Sequence, residues 1–145
     1  MQTTLIPEES EMFKALVVDY HAAWSPGHEP FNISNAERYY SKDSELTAYD
    51  VMHTDGVIKG WEKYKVELIK IMQGFADFNI SLNKNDVEVF RHGEIVWTAS
   101  YFRIKGMFKN GQPLESVGRT TLVWKHQEDG NWLIAHDHSS LPIMS

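Results

Sequence analysis

Apolar residues Phe13, Leu16, Val17, Tyr20 and Trp24 return at intervals of three and four, which puts their side chains on one face of a helix. The spacing predicts a helix over about residues 7–24, stopped by Ser25-Pro26-Gly27. Ser34 and Glu37 are spaced as a capping box, so a short second helix is expected over about 35–41. Residues 46–51 read as a short strand and Thr54-Asp55-Gly56 as a turn. Trp61, Tyr64, Leu68, Ile71 and Phe75 stripe a third helix that ends near Gln73-Gly74. From Asp77 onward the period falls to two, which predicts strands over about 77–91, 95–108, 114–127 and 132–140. His92-Gly93, Asn110-Gly111 and Asp129-Gly130 supply the reversals of a hairpin-linked meander. Helices first and long antiparallel strands afterwards predict an α+β fold, with one strongly curved, mostly antiparallel sheet wrapped around the first and third helices. Gly106 and Gly118 fall inside strand patterns, where bends or bulges are expected.

The last two predicted strands carry most of the chemistry. Strand alternation puts Trp132, Ile134, His136, His138 and Ser140 on one side. A face that begins apolar and ends with imidazoles suits a dead-ended pocket. At 145 residues, without repeats or a linker, the chain is expected to be one domain. Its net charge of −6 and lack of a basic run argue against nucleic acid or an anionic membrane as partner. No apolar stretch approaches the roughly 20 residues that span a bilayer. Residues 1–11 lack the basic start and apolar core of a secretory signal, so a cytoplasmic location is expected. The absence of cysteine excludes disulfides and thiolate metal sites.

Residues 129–140, Asp129-Gly130-Asn131-Trp132-Leu133-Ile134-Ala135-His136-Asp137-His138-Ser139-Ser140, resemble the closing segment of the SnoaL-like proteins. These belong to the nuclear transport factor 2-like superfamily, and the resemblance covers nearly the whole chain. Thr47-Ala48-Tyr49-Asp50 and Tyr101-Phe102-Arg103-Ile104 are also similar to segments of the calcium/calmodulin-dependent protein kinase II association domain. The resemblance implies a cone-shaped α+β fold with a pocket at its open end, and a homodimer formed through the sheet. It implies no single chemistry, because the fold hosts isomerases, dehydratases, transport factors and assembly domains.

In the ketosteroid isomerases of this superfamily an aspartate at a strand end shuttles the proton and a tyrosine stabilises the oxyanion. The resemblance assigns these positions to Asp50 and Tyr20, against the alternatives of a turn carboxylate and a core tyrosine. Their protonated aspartate in the penultimate strand has no counterpart among Arg119, Thr120, Thr121 and Leu122. If Arg119 and Arg103 face inward, they favour a carboxylate-bearing ligand, because the guanidinium fork binds carboxylate bidentately. The alternative pairs Arg119 with Asp50, Glu115 or Asp137. His136 and His138 are read as hydrogen-bonded pocket histidines, either structural or acting as acid and base. No metal is expected, because a third ligand at suitable spacing is missing. Trp24, Trp61, Trp97 and Tyr101 are the candidate ring walls, against the alternative of core packing; if Trp97 and Tyr101 face inward, the opposite side of the 95–108 strand is expected to face the dimer partner. No cofactor is expected. The expectation is a protein that binds a small hydrophobic or carboxylate-bearing molecule, with proton-transfer chemistry as isomerase, cyclase or dehydratase. The alternative is a non-enzymatic assembly or interaction domain.

Overall fold

A computed structural model of the chain describes residues 5–26, 29–50 and 56–142. Gly27 of the predicted helix stop, the end of the 46–51 strand at Val51, and Thr54 and Asp55 of the predicted turn lie outside the described residues.

The first helix, α1, is Pro7–Ala22. Pro7 opens it where a missing N–H costs nothing, and Glu8 and Glu9 complement the positive end of the helix dipole. Ser25 ties the exit down: its Oγ donates to the Ile80 carbonyl and accepts from the Ile80 N–H, both at 2.8 Å. The second helix, α2, is Ile33–Glu37, shorter and earlier than expected. Its cap is Asn32, whose Oδ1 accepts the Ser34 N–H at 3.0 Å, and not Ser34 itself. The third, α3, is Trp61–Gln73. Among the described residues no helix is long and apolar enough to cross a membrane.

The strands are β1 (Thr47–Tyr49), β2 (Ile58–Lys59), β3 (Phe75–Ser81), β4 (Val87–His92), β5 (Ile95–Phe108), β6 (Pro113–His126) and β7 (Trp132–Ser140). They form one sheet in the order β2-β1-β7-β6-β5-β3, with β4 also paired to β5. All pairs are antiparallel except β1 with β7. The strand expected over 77–91 is two strands, because β3 pairs with the far half of β5 and β4 with its near half. A 3₁₀ turn at Lys84–Asp86, capped reciprocally by Asn83 and Asp86, makes the break. Periodicity hid it because those polar caps sit at positions a surface strand would also fill.

The sheet curls around α1 and α3. Phe13, Val17 and Tyr20 of α1 and Tyr64, Leu68 and Met72 of α3 are buried with Val96, Phe102, Ile104, Leu122, Trp124 and Ile134 of the sheet. Each such large side chain contributes about 1.5–3 kcal/mol of transfer free energy. Gly118 is opposite Phe102, whose ring lies so close that a Cβ at 118 would stand 2.2 Å from Cζ. The missing side chain is what lets Phe102 fold down over the sheet.

Candidate functional site

Strand alternation on β5 and β6 runs opposite to the expected sense. Val96, Thr98, Ser100, Phe102 and Ile104 are buried on the concave face, with Thr120, Leu122 and Trp124 beside them. Trp97, Tyr101, Arg103 and Arg119 therefore point away from the interior. On β7 the sense changes partway. Val123 pairs with His136 and Trp124 with Ile134, so Ala135 is an extra residue in the ladder. Its other edge changes partner at the same place, from the Tyr39–Tyr40 segment to β1. Ile134 faces inward as expected, but beyond the irregularity Asp137 and Ser139 face inward too, while His136 and His138 face out.

The inward residues surround a cavity of about 70 Å³. Its apolar walls include Trp24, Leu68, Met72, Phe75, Phe78 and Phe102. Met72, Phe75 and Phe78 also border a larger groove of about 620 Å³.

The polar end of the cavity is built on Asp137, 2% exposed. Its Oδ2 accepts from the hydroxyls of Tyr40 at 3.0 Å, Tyr64 at 3.1 Å and Tyr20 at 3.3 Å. Its Oδ1 accepts from Ser139 Oγ at 3.1 Å, and Ser139 in turn contacts Thr120 Oγ1 at 3.2 Å. The Tyr20 and Tyr40 hydroxyls are also in a short hydrogen bond with each other. Tyr64 reaches a second carboxylate as well, Asp50 Oδ2 at 3.0 Å. Burial, then the nearby Asp50 charge, pushes the Asp137 carboxyl up to about 6 despite these donors. Burial likewise holds the tyrosine hydroxyls protonated, their pKa values raised well above the usual phenol range.

Tyr20, Trp24 and Asp50 are thus at the cavity. Trp24 stacks on Phe31 with centroids 5.1 Å apart. Its Nε1 lies near enough to Tyr20 to favour that hydroxyl's ionised form, but outside hydrogen-bond geometry. Trp61 stands behind the tyrosines, stacked on Tyr40 at 5.0 Å and edge-on to Tyr64 at 6.4 Å.

The other expected site residues are on the outer face. His136 Nδ1 is 2.7 Å from Thr47 Oγ1, and Tyr49 packs against both His136 and His138. Arg119 is exposed opposite Tyr101, Arg103 reaches Asp86 at 3.6 Å, and Trp97 stacks on Phe90. The expectation of guanidinium groups and imidazoles sharing the pocket is therefore corrected: the extra residue in β7 reverses its later side chains, and two guanidinium groups would have been costly to bury.

Sequence reasoning missed His21 and Tyr64 as cavity groups and Tyr40 as a partner of Asp137, and considered Asp137 only as a partner for Arg119. Tyr64 was legible on the α3 stripe, and His21 as a polar neighbour of Tyr20. Nothing in the sequence marks the irregularity that turns Asp137 inward. The penultimate strand offers no acid, but β7 brings a buried carboxyl, Asp137, to the cavity. Among the described residues no group of three His, Asp or Glu side chains stands close enough to hold a metal ion.

The model of the SnoaL-like domain family matches residues 27–144. No curated protein matches the chain by sequence at a significant level. Among solved structures, a candidate dehydratase of the NTF2-like family from Streptomyces avermitilis is 14% identical, covering 96% of this chain and 100% of that one, with a TM-score of 0.74. A candidate calcium/calmodulin-dependent protein kinase II association domain from Xanthomonas campestris is 18% identical, covering 100% and 97%, with a TM-score of 0.71. A candidate ketosteroid isomerase from Shewanella frigidimarina is 20% identical, covering 87% and 92%, with a TM-score of 0.65. At these identities the likeness is one of fold.

Proposed function

We propose that this chain, which belongs to the SnoaL-like domain family, holds a small uncharged hydrophobic molecule in its cavity and moves a proton on it without a cofactor. The observation that carries this reading is the Tyr64 hydroxyl, 3.0 Å from Asp50 Oδ2 and 3.1 Å from Asp137 Oδ2 at the polar end of an apolar hollow. One hydroxyl hydrogen serves two carboxylates, an arrangement that favours a shared proton.

The chemistry follows from that inventory. Asp50 takes the hydrogen from a carbon beside a carbonyl, and the C–H electron pair moves toward the carbonyl oxygen as an enolate. Returning the proton to the same carbon or to a conjugated one regenerates the carboxylate. The oxygen needs a donor while it carries charge. With Asp137 protonated, its hydroxyl donates to Tyr40, Tyr40 to Tyr20, and the Tyr20 hydrogen turns to the ligand. With Asp137 ionised, the tyrosine hydroxyls point at the carboxylate instead. Neighbours named as a candidate dehydratase and a candidate isomerase support this reaction class. A carboxylate-bearing ligand is disfavoured, because the lining holds two acids and no lysine or arginine. The test is deuterium incorporation into cyclohexenone in D₂O, followed by NMR. Acceleration by the wild type that falls at least about a hundredfold in Asp50→Asn supports the reading. No acceleration, or an undiminished rate in the variant, sinks it.

The outer face favours a second reading, compatible with the first. On that face Tyr101 is 57% exposed, Val117 48% and Tyr49 44%, large apolar side chains set beside Arg119, Arg103 and His138, a mixture of rings and guanidinium groups that suits an interface. We infer that two copies pair through it, in line with the neighbour named as a candidate association domain. Light scattering at micromolar concentration should give twice the chain mass, reduced to one in Tyr101→Glu; a wild-type monomer ends this reading.

A further inference from the structure

Proton transfer leaves one cavity group unused. His21 follows Tyr20 on α1, is 2% exposed and lines the hollow. Its Nδ1 is 2.9 Å from the Val17 carbonyl one turn back, so Nδ1 carries the hydrogen and Nε2 a lone pair. Burial pushes the ring's pKa down to about 4, so this lone pair is present at neutral pH. Nε2 has no hydrogen-bond partner, yet it is not sealed in; Trp24 Nε1 is the polar side-chain atom walled off without one among the described residues. The other acceptors of the lining are engaged. Asp137 takes three tyrosines and a serine, Asp50 takes Tyr64, and Thr120 and Ser139 hold each other. An acceptor buried at the edge of a cavity and left without a donor is costly until something donates to it.

We infer that His21 Nε2 anchors the ligand, and that the ligand is an uncharged alcohol or phenol whose hydroxyl donates to it. This rests on the cavity-binding reading above and narrows it. The hydroxyl is a second group, apart from the carbonyl that proton transfer requires. A carboxylate fails twice, having no hydrogen to give and no cation opposite. An ether or simple ketone at this point sets lone pair against lone pair. His21 is a specificity-determining residue and not a base, because an imidazole that ionises near 4 takes up almost no proton at neutral pH.

Phenol and toluene have nearly the same shape and differ in the donor, so they are the probes. Binding of each to the full chain is measured by NMR titration. The wild type should prefer phenol about tenfold or more, the scale of one well-made hydrogen bond. His21→Phe should bring the two within about twofold by weakening phenol alone, and His21→Gln, which keeps an acceptor, should restore most of the difference. A preference that survives His21→Phe overturns the assignment. Should that variant fail to fold, the wild type labelled with ¹⁵N-histidine decides: the unprotonated Nε2 signal of His21 must shift with phenol and stay in place with toluene. Equal affinity for both probes in the wild type refutes the hydroxyl requirement and leaves cavity binding standing. If neither probe binds, both readings fall.

Discussion

On β7, Asp137 and His138 are consecutive residues in different media. Asp137 lies under α1 and α3, shielded from water, with every oxygen satisfied by hydroxyls. His138 stands on the outer face against Tyr49, open to solvent. The same contrast runs along β6, where Thr120 is buried at the cavity and Arg119 is exposed. In a sheet lined on one side, the chemical weight of a residue is set by its parity before its identity. An acid turned inward becomes a proton store, and a cation turned outward becomes surface.

The sharpest way to break that contrast is to truncate the two neighbours in turn. Asp137→Ala removes the acceptor of three buried tyrosine hydroxyls and should lower stability by about 2–4 kcal/mol in urea unfolding. His138→Ala should fall within about 0.5 kcal/mol of the wild type, measured as monomer. Equal losses at both positions would show that the faces do not differ as described.

The first and third helices were legible because a three- and four-residue stripe has one reading, and Phe13 to Tyr20 and Trp61 to Met72 fall on it. The sheet was legible as strands but not as faces. Along β5 both parities carry apolar residues, Val96, Phe102 and Ile104 on one and Trp97 and Tyr101 on the other. The aromatic mass of the second set suggested the interior. The deciding signal was the company it keeps: Arg103 and Lys105 share its parity, and burying them costs more than exposing two rings. For β7 no such signal exists. Ala135 is neither glycine nor proline, and the shift coincides with a change of edge partner far away in sequence.

A second prediction sharpens the contrast within the cavity itself, where two buried groups titrate with opposite sign. Asp137 rises from an ordinary 3.8 to about 6 on folding. The native state therefore holds its proton more tightly, and this contribution is complete below pH 4 and lost as pH rises through 6. His21 falls from 6.5 to about 4. Here the unfolded chain binds the extra proton, so the contribution is complete above pH 6.5 and lost as pH falls through 4. Each is worth on the order of 3 kcal/mol, and in the wild type they offset each other across the window. His21→Phe leaves Asp137 alone, and its stability relative to wild type should fall as pH climbs from 4 to 6.5. Asp137→Asn should show the mirror image. Denaturant midpoints for the three proteins across that range check it, and parallel curves would mean that the groups do not titrate as the burial implies.

The smallest expected effect is the most pointed test of which face binds. Arg119 is the residue whose inward placement would have favoured a carboxylate ligand, yet it is exposed opposite Tyr101. Arg119→Ala should change monomer stability by no more than about 0.5 kcal/mol, since it breaks no buried pair. It should also leave the phenol and toluene affinities unchanged, because no ligand in the hollow reaches across the sheet to it. A loss of ligand-dependent thermal stabilisation in this variant would move the binding site to the outer face, and with it the meaning of His136 and His138.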